Sequence, residues 1–356
     1  MISLNLPISF GMVLLVGVCC AVAQLRDVRT RSKLVLAGLW SGLAMAAVVA
    51  MVGVMGRPMH FAGAWEWLLS DAVIALSTGL VTGLFVQGVL PGIEWLFKVS
   101  TSMTLKELND ASHPLLRRLA ERAPGTYQHS LRIADMAEAA AERIGANALL
   151  CRVGAMYHDV GKMNKPMYFV ENQGGGPNRH DKLSPAMSVL IIVGHVKDGA
   201  EMAREYHLPT SIRHFIESHH GTTLVEYFYH AAIKQGEADP DRACPSEFEY
   251  RYPGPKPQTK EAAIIMLCDT IESAARTLAE PTPVRLEQLV HQLAMKRLMD
   301  GQFDQCQLTL SDLHRIEESL TKTLCAIHHG RVAYPSDSKA EEEGAGDAAP
   351  ATQAAS

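Results

Sequence analysis

The sequence has no Cys-x-x-Cys pair, no excess of positive charge and few strand-like patterns. Each absence removes a class of protein. Seven cysteines are scattered through 356 residues, an odd number with no spacing that suits a zinc ribbon or a redox dithiol. Cys151, Cys268 and Cys325 fall in apolar helical surroundings and read as reduced core residues. Cys19 and Cys20 fall in an apolar run. The formal net charge of −5 offers no basic surface for a nucleic-acid polymer. Sparse alternating patterns argue against a sheet and leave an all-α fold.

Charge itself is missing from three stretches, residues 8–24, 34–55 and 72–90. A helix needs about 20 apolar residues to cross the hydrocarbon layer. Three such runs within the first hundred residues predict about three transmembrane helices over residues 1–97, with membrane lipid as their partner. The first run lacks the basic leader and the small-residue cleavage site of a signal peptide. Arg26, Arg29, Arg31 and Lys33 crowd the first connection, whereas the second holds only Arg57. Lys98, Lys106, Arg117 and Arg118 follow the third run. Positive residues favour the cytoplasmic side, so the first connection and everything after residue 97 are expected there, with the N-terminus outside. This makes a multi-pass protein of the inner or plasma membrane with a cytoplasmic domain. Trp65, Trp67 and Trp95 flank the third run as interfacial aromatics do. Asp71 and Glu94 read as interfacial charges.

Residues 98–124 read as an amphipathic linker helix. Residues 125–335 carry helical periodicity almost throughout, with helices expected near 147–158, 185–206, 210–220, 223–235, 261–278, 283–299 and 311–329. Two loops interrupt them: residues 169–183, rich in glycine, and residues 236–257, acidic and then proline-rich, expected to be solvated. Residues 336–356 have little to bury and read as a disordered tail.

The domain is organised around Gly154-Ala-Met-Tyr-His158-Asp159-Val-Gly161-Lys162. His129 precedes it, and His195, His219, His220 and Asp269 follow, each in or beside a helical pattern. Imidazole and carboxylate together suit iron, manganese or zinc better than calcium or magnesium. Seven side chains exceed the six ligands of one octahedral ion but fit two divalent metal ions sharing a carboxylate. Asp159 is the natural bridge, because a carboxylate has two ligating oxygens and an imidazole one free nitrogen. Two ions roughly 3.5–4 Å apart can clamp the attacking and leaving oxygens of an in-line displacement, the chemistry of phosphoester hydrolysis.

Other polar residues have weaker claims. Lys162 either contacts a phosphate or steadies Asp159. Glu272, a turn after Asp269, reads as a supporting or surface group. His180 either contacts substrate or orders its loop. His60, His113, His207, His214, His230, His291 and His314 stand singly and read as surface residues. His328-His329-Gly330 reads as a helix C-terminus.

His129…His158-Asp159…Asp269 resembles the HD-domain metal phosphohydrolases, and the added His195 and His219-His220 resemble their two-metal members. Ala123-Pro-Gly-Thr-Tyr-Gln-His129-Ser, Tyr168-Phe-Val-Glu171-Asn172-Gln173, His180-Asp181-Lys182-Leu-Ser184-Pro185 and His219-His220-Gly221-Thr222-Thr223 are similar to the membrane-anchored PgpH-type cyclic di-AMP phosphodiesterases. The resemblance implies hydrolysis of cyclic di-AMP to linear pApA. It implies one metal on His129, His158, Asp159 and Asp269 and another on Asp159, His195, His219 and His220, with iron or manganese expected. Tyr227-Phe228-Tyr229 either stacks an adenine, through Tyr227 and Tyr229, or packs as core. Oligomerisation is left open.

The family pattern has seven spans and a large extracellular domain. With about three spans, the chain reads as a shortened member or as one whose native start lies elsewhere. A single-metal alarmone hydrolase would not need His195, His219 and His220. The related HD-GYP enzymes carry Gly-Tyr-Pro after the histidine doublet, where this chain has Leu224-Val-Glu-Tyr227-Phe. A nucleotide-sensing module without turnover would be expected to lose a ligand, and none is lost.

Overall fold

The computed structural model describes residues 5–25, 30–56, 64–237 and 245–329. Arg26, Arg29, Arg57, His60, Gly330 and the expected tail at 336–356 lie outside them. The fold is helical, with no β-strand among the described residues and one isolated antiparallel bridge, Leu224 to Arg251.

The N-terminal part consists of α1 (Asn5–Gln24), α2 (Arg31–Gly56) and α3 (Ala64–Phe97). Arg31–Met55 and Trp65–Phe97 are long and apolar enough to cross a membrane, and the apolar part of α1, Ser9–Gln24, is shorter. At 1.5 Å per residue the full 20 residues of α1 still reach about 30 Å, the thickness of the hydrocarbon layer. The third run is longer than expected. Nothing between Trp65 and Trp95 breaks the helix, so α3 runs 34 residues and even includes Pro91.

α2 and α3 meet through glycines whose pairing the hydropathy pattern does not reveal. Gly38 and Gly42 face Gly79 and Gly83. A Cβ on Gly38 would stand 2.9 Å from Gly83 Cα, and one on Gly42 2.8 Å from the Leu76 carbonyl oxygen. Small residues four apart let membrane helices approach backbone to backbone.

The linker is two helices, α4 (Ser102–Leu108) and α5 (Pro114–Arg122), where one was expected. Proline lacks an N–H and cannot sit inside a helix without disrupting the preceding turn. Pro114 therefore starts α5, and His113 Nδ1 caps it by accepting from Leu115 N at 3.3 Å. His113 is thus half-buried rather than a surface residue. Leu115, Leu116 and Leu119 are fully buried against the domain, each worth about 1.5–3 kcal/mol. Tyr157 Oη donates to the Leu108 carbonyl at 2.9 Å. The linker is therefore part of the domain's core.

The domain continues with α6 (Pro124–Ile144), α7 (Ala148–Tyr157), α8 (Pro185–Glu205), α9 (Thr210–Ser218), α10 (Glu226–Glu237), α11 (Lys260–Ala275), α12 (Pro283–Met299) and α13 (Leu310–His329). Local chemistry sets these limits. Gly145 at φ 70° closes α6 with bonds to the Ala141 and Glu142 carbonyls. Asn147, Ser184, Thr259 and Thr282 cap α7, α8, α11 and α12 through their side chains. α11 is buried on nearly every side, and α6, α7, α9, α12 and α13 pack around it. The segment at 169–183 folds into short 3-10 turns, including Val170–Asn172 and Arg179–Lys182. The segment at 236–257 is not wholly solvated. Residues 238–244 lie outside the described residues, but Tyr250 and Tyr252 are buried. The bridge to Leu224 and the Arg251 ion pairs with Glu247 and Asp300 draw them inward.

Gly79→Leu should force α2 from α3 and cost about 1–3 kcal/mol. Gly88→Leu, whose added Cβ meets nothing within 4 Å, should cost little. Thermal unfolding of both variants in detergent checks this.

Candidate metal centre

Six of the seven histidines and aspartates predicted as ligands are held at helix ends or on helix faces, and Asp159 sits at a bend between them. His129 is on α6, His195 on α8 and Asp269 on α11. His158 and His219 are the C-terminal caps of α7 and α9, with His220 following directly. Asp159 leaves α7 with φ −109° and ψ 14° and opens the 3-10 turn Val160–Asn164 that carries Lys162. Gly161 explains how that turn reaches α8. A Cβ there would fall on the His195 carbonyl oxygen and stand 2.5 Å from Gly199 N. Without a side chain at 161, the turn lies flat on the α8 backbone and Asp159 meets His195.

Asp159 is at the centre. Its Oδ2 lies 3.2 Å from His158 Nε2 and 3.6 Å from His129 Nε2, and its Oδ1 lies 3.3 Å from His195 Nε2 and 3.6 Å from His219 Nε2. His129 Nε2 also lies 3.1 Å from Asp269 Oδ1, and Asp269 Oδ2 lies 3.6 Å from His220 Nδ1. The side chains form two overlapping groups, His129, His158, Asp159, Asp269 and Asp159, His195, His219, His220, each with its ligating atoms within 4.8 Å of one another.

The histidine rings are held in one orientation. His158, His195 and His219 each place Nδ1 on a helix carbonyl three residues back, at Ala155, Ile192 and Ile216. His129 Nδ1 lies 2.9 Å from Glu272 Oε2. With Nδ1 donating, each neutral ring presents an Nε2 lone pair, as metal-ligating histidines do. The Nε2 atoms of His195 and His219 then face each other at 3.3 Å. Two lone pairs at that distance repel unless a cation lies between them. His158 Nε2 and both Asp159 oxygens have no hydrogen-bond partner among the described residues. Buried polar atoms rarely go unpaired. The donor set therefore fits a divalent metal ion.

Electrostatics lead the same way. Burial alone would raise the Asp159 pKa, but the Lys162 ammonium and His158 outweigh it and hold the carboxyl well below its usual range. Burial likewise opposes charge on His129, yet the bonds to Asp269 and Glu272 win and raise it to about 9. Burial and the neighbouring His219 ring push His220 well down, leaving it a neutral donor of electrons. A metal on His129 displaces the proton there.

Of the remaining predicted residues, Lys162 and Glu272 contact this cluster directly. Lys162 Nζ is 2.6 Å from Asp159 Oδ2 and 3.0 Å from Glu171 Oε1. His180 is buried between Tyr168 and Phe228, with Nε2 on the Tyr168 carbonyl. Tyr227 is 72% exposed, and Tyr229 packs on Tyr250. His207, His230, His291 and His314 are exposed, whereas His214 is half-buried. Glu272 is a buried partner of His129 rather than a surface group.

Tyr252 escapes the sequence reading. It lies in a segment with no helical period, yet its ring stacks on His220 at 4.2 Å and an interplanar angle of 25°. The only local signal is the run of aromatics around Arg251.

Two family models match: "HD domain" over residues 126–274, and "7TM receptor with intracellular HD hydrolase" over residues 1–101. The crystal structure of the Listeria monocytogenes PgpH HD domain in complex with cyclic-di-AMP is 47% identical. It superposes with a TM-score of 0.57, over 61% of this chain and 99% of that one. This chain belongs to the PgpH family of HD-domain proteins. Cyclic-di-AMP phosphodiesterase PgpH of Bacillus subtilis (strain 168) is 40% identical over 330 residues, 92% of this chain and 45% of that protein. Its counterpart from Listeria monocytogenes serotype 1/2a (strain 10403S) is 41% identical over 317 residues, 89% of this chain and 43% of that protein. The chain thus spans less than half the length of these curated PgpH relatives. The match to the 7TM family over α1 to α3 marks it as a membrane protein.

Gly161→Ala should push the Asp159 turn off α8 and destabilise the domain by about 1–3 kcal/mol. Chemical denaturation checks this, and a midpoint equal to that of the parent would show that the close approach has no such role.

Proposed function

We propose that this chain is a membrane-anchored phosphodiesterase that hydrolyses cyclic di-AMP to pApA with two divalent ions, iron or manganese. The observation that carries this reading is the pair of ligand groups sharing Asp159. His129, His158, Asp159 and Asp269 would hold one ion, and Asp159, His195, His219 and His220 the other. When bound, the ions polarise the phosphoryl group and clamp the attacking and leaving oxygens.

The protein's own residues supply position. Asp159 offers one oxygen to each group, which ties the two sites to one rigid turn. The Nδ1 bonds of His129, His158, His195 and His219 keep Nε2 turned inward without rearrangement. Lys162, 12% exposed, would orient a phosphate oxygen at the mouth. Tyr252 covers one face of His220 and excludes water from it. Phe169 borders His195, and Phe228 lies against both His180 and Tyr227; His180, Tyr227 and Tyr229 are the residues we assign to the bases.

The same reading places the domain in the cytoplasm and the spans in the inner or plasma membrane. Arg31, which opens α2 beside the basic first connection, makes a two-pronged pair with Glu107 of α4, at 2.7 and 3.1 Å. That contact supports one shared side for the first connection and the domain, as their basic residues predict.

The test uses the full chain in detergent, loaded anaerobically with iron or manganese and given cyclic di-AMP or cyclic di-GMP. Chromatography should show pApA from cyclic di-AMP in preference to cyclic di-GMP products. Asp159→Ala should lower turnover by more than about 100-fold, beyond the usual loss from removing a supporting partner. Metal-loaded protein that binds cyclic di-AMP without cleaving it would replace this reading with a nucleotide sensor.

A further inference from the structure

Lys162 raises a difficulty that the ligand geometry does not resolve by itself. Its ammonium is 2.6 Å from Asp159 Oδ2, the oxygen nearest His129 and His158. A positive charge there repels a divalent cation bound to the same atom. The contact is a buried ion pair, between a full positive and a full negative charge.

A second anion stands on the other side. Glu171 Oε1 accepts from Lys162 Nζ at 3.0 Å, and its side chain is only 9% exposed. Its position is built rather than incidental. Thr126 Oγ1, at the start of α6, donates to the same oxygen at 3.0 Å. That hydroxyl has one proton, and it accepts in turn from Asn172 Nδ2 at 2.8 Å. Asn172 Oδ1 also accepts from Thr126 N at 3.2 Å. Gly125 lets the segments touch, because a Cβ there would fall on the Glu171 carbonyl oxygen. Phe169 lines the ammonium on a further side, with its ring centre 5.1 Å away.

We propose that Glu171 is a positioning residue that draws the Lys162 ammonium away from Asp159 when the metal enters. This inference rests on the reading of His129, His158, Asp159 and Asp269 as a metal site. Two carboxylates share one lysine, so charge gained on the Asp159 side moves the ammonium toward Glu171. Lys162 keeps a partner throughout and stays beside the ions, where a phosphate oxygen would lie. With Glu171 neutralised, Asp159 is the carboxylate left in contact with Lys162 among the described residues, and Lys162 competes with the metal for it.

Metal binding, rather than turnover, reads this out. Manganese affinity and stoichiometry would be measured by calorimetry on the full chain in detergent, for the parent, Glu171→Gln, Lys162→Met and the double variant. The parent must bind manganese, since failure there would refute the metal reading itself. Glu171→Gln should weaken manganese at one of the sites by about tenfold or more, the usual scale for a supporting partner. Lys162→Met should bind at least as tightly as the parent. The double variant should match Lys162→Met, because with no ammonium to place Glu171 has nothing to do. Equal loss from Glu171→Gln with and without Lys162 would show a purely structural role in anchoring the loop to α6 and would overturn the proposal. Unchanged affinity in Glu171→Gln would overturn it too. Should Glu171→Gln fail to fold, Thr126→Val tests the same point. It keeps the carboxylate and removes the bond that aims it, so a several-fold loss that Lys162→Met abolishes is expected, and no loss counts against the proposal.

Discussion

A buried carboxylate ringed by imidazole nitrogens is the constraint on which the rest of this structure depends. Asp159 is 1% exposed. Burying an ionised group costs several kcal/mol unless opposite charge accompanies it. Lys162 supplies part of that charge, and four imidazole nitrogens gather around the two oxygens without satisfying them. The site is therefore arranged for more positive charge than the side chains provide. The surrounding helices hold the arrangement in place, with α11 buried in the centre and the ends of α7 and α9 directed at the same point.

The same demand accounts for features that look unrelated along the chain. Gly161 and Gly125 are both points where backbone meets backbone. One brings the Asp159 turn onto α8, and the other brings the Glu171 turn onto α6. Glu272 fixes His129 from outside the cluster, and Tyr252 covers His220. Each is a second layer holding a residue of the first, and such layers set the affinity of metal sites as much as the ligands do. The membrane part joins this system through the linker. Three leucines of α5 lie in the domain core, Tyr157 of α7 reaches the carbonyl of Leu108, and Arg31 of α2 holds Glu107 of α4. The helix that ends at His158 is thus connected to the membrane helices through α4.

Legibility followed the physical range of each interaction. The all-α class was readable because helix periodicity is local, and so was the set of seven donors, because imidazole and carboxylate announce their chemistry by residue type. The linker break at Pro114 was also written locally, in a residue that favours the first turn of a helix over its interior, yet apolar periodicity on both sides concealed it. The length of α3 was harder. Interfacial tryptophans mark where a hydrophobic run ends without marking where the helix ends.

By itself the sequence determined the helical class, the apolar N-terminal runs and the imidazole and carboxylate donors of the domain, since these depend on composition and short-range spacing. Only the tertiary structure decided how that chemistry is assembled. Residues more than a hundred positions apart, such as His129 and Glu272, meet because packing around α11 brings them together, and no local rule encodes that distance. The same holds for Tyr252, drawn from an aperiodic segment onto His220, and for the glycines of α2 and α3. Their meaning lies in a partner backbone that becomes a neighbour only after folding.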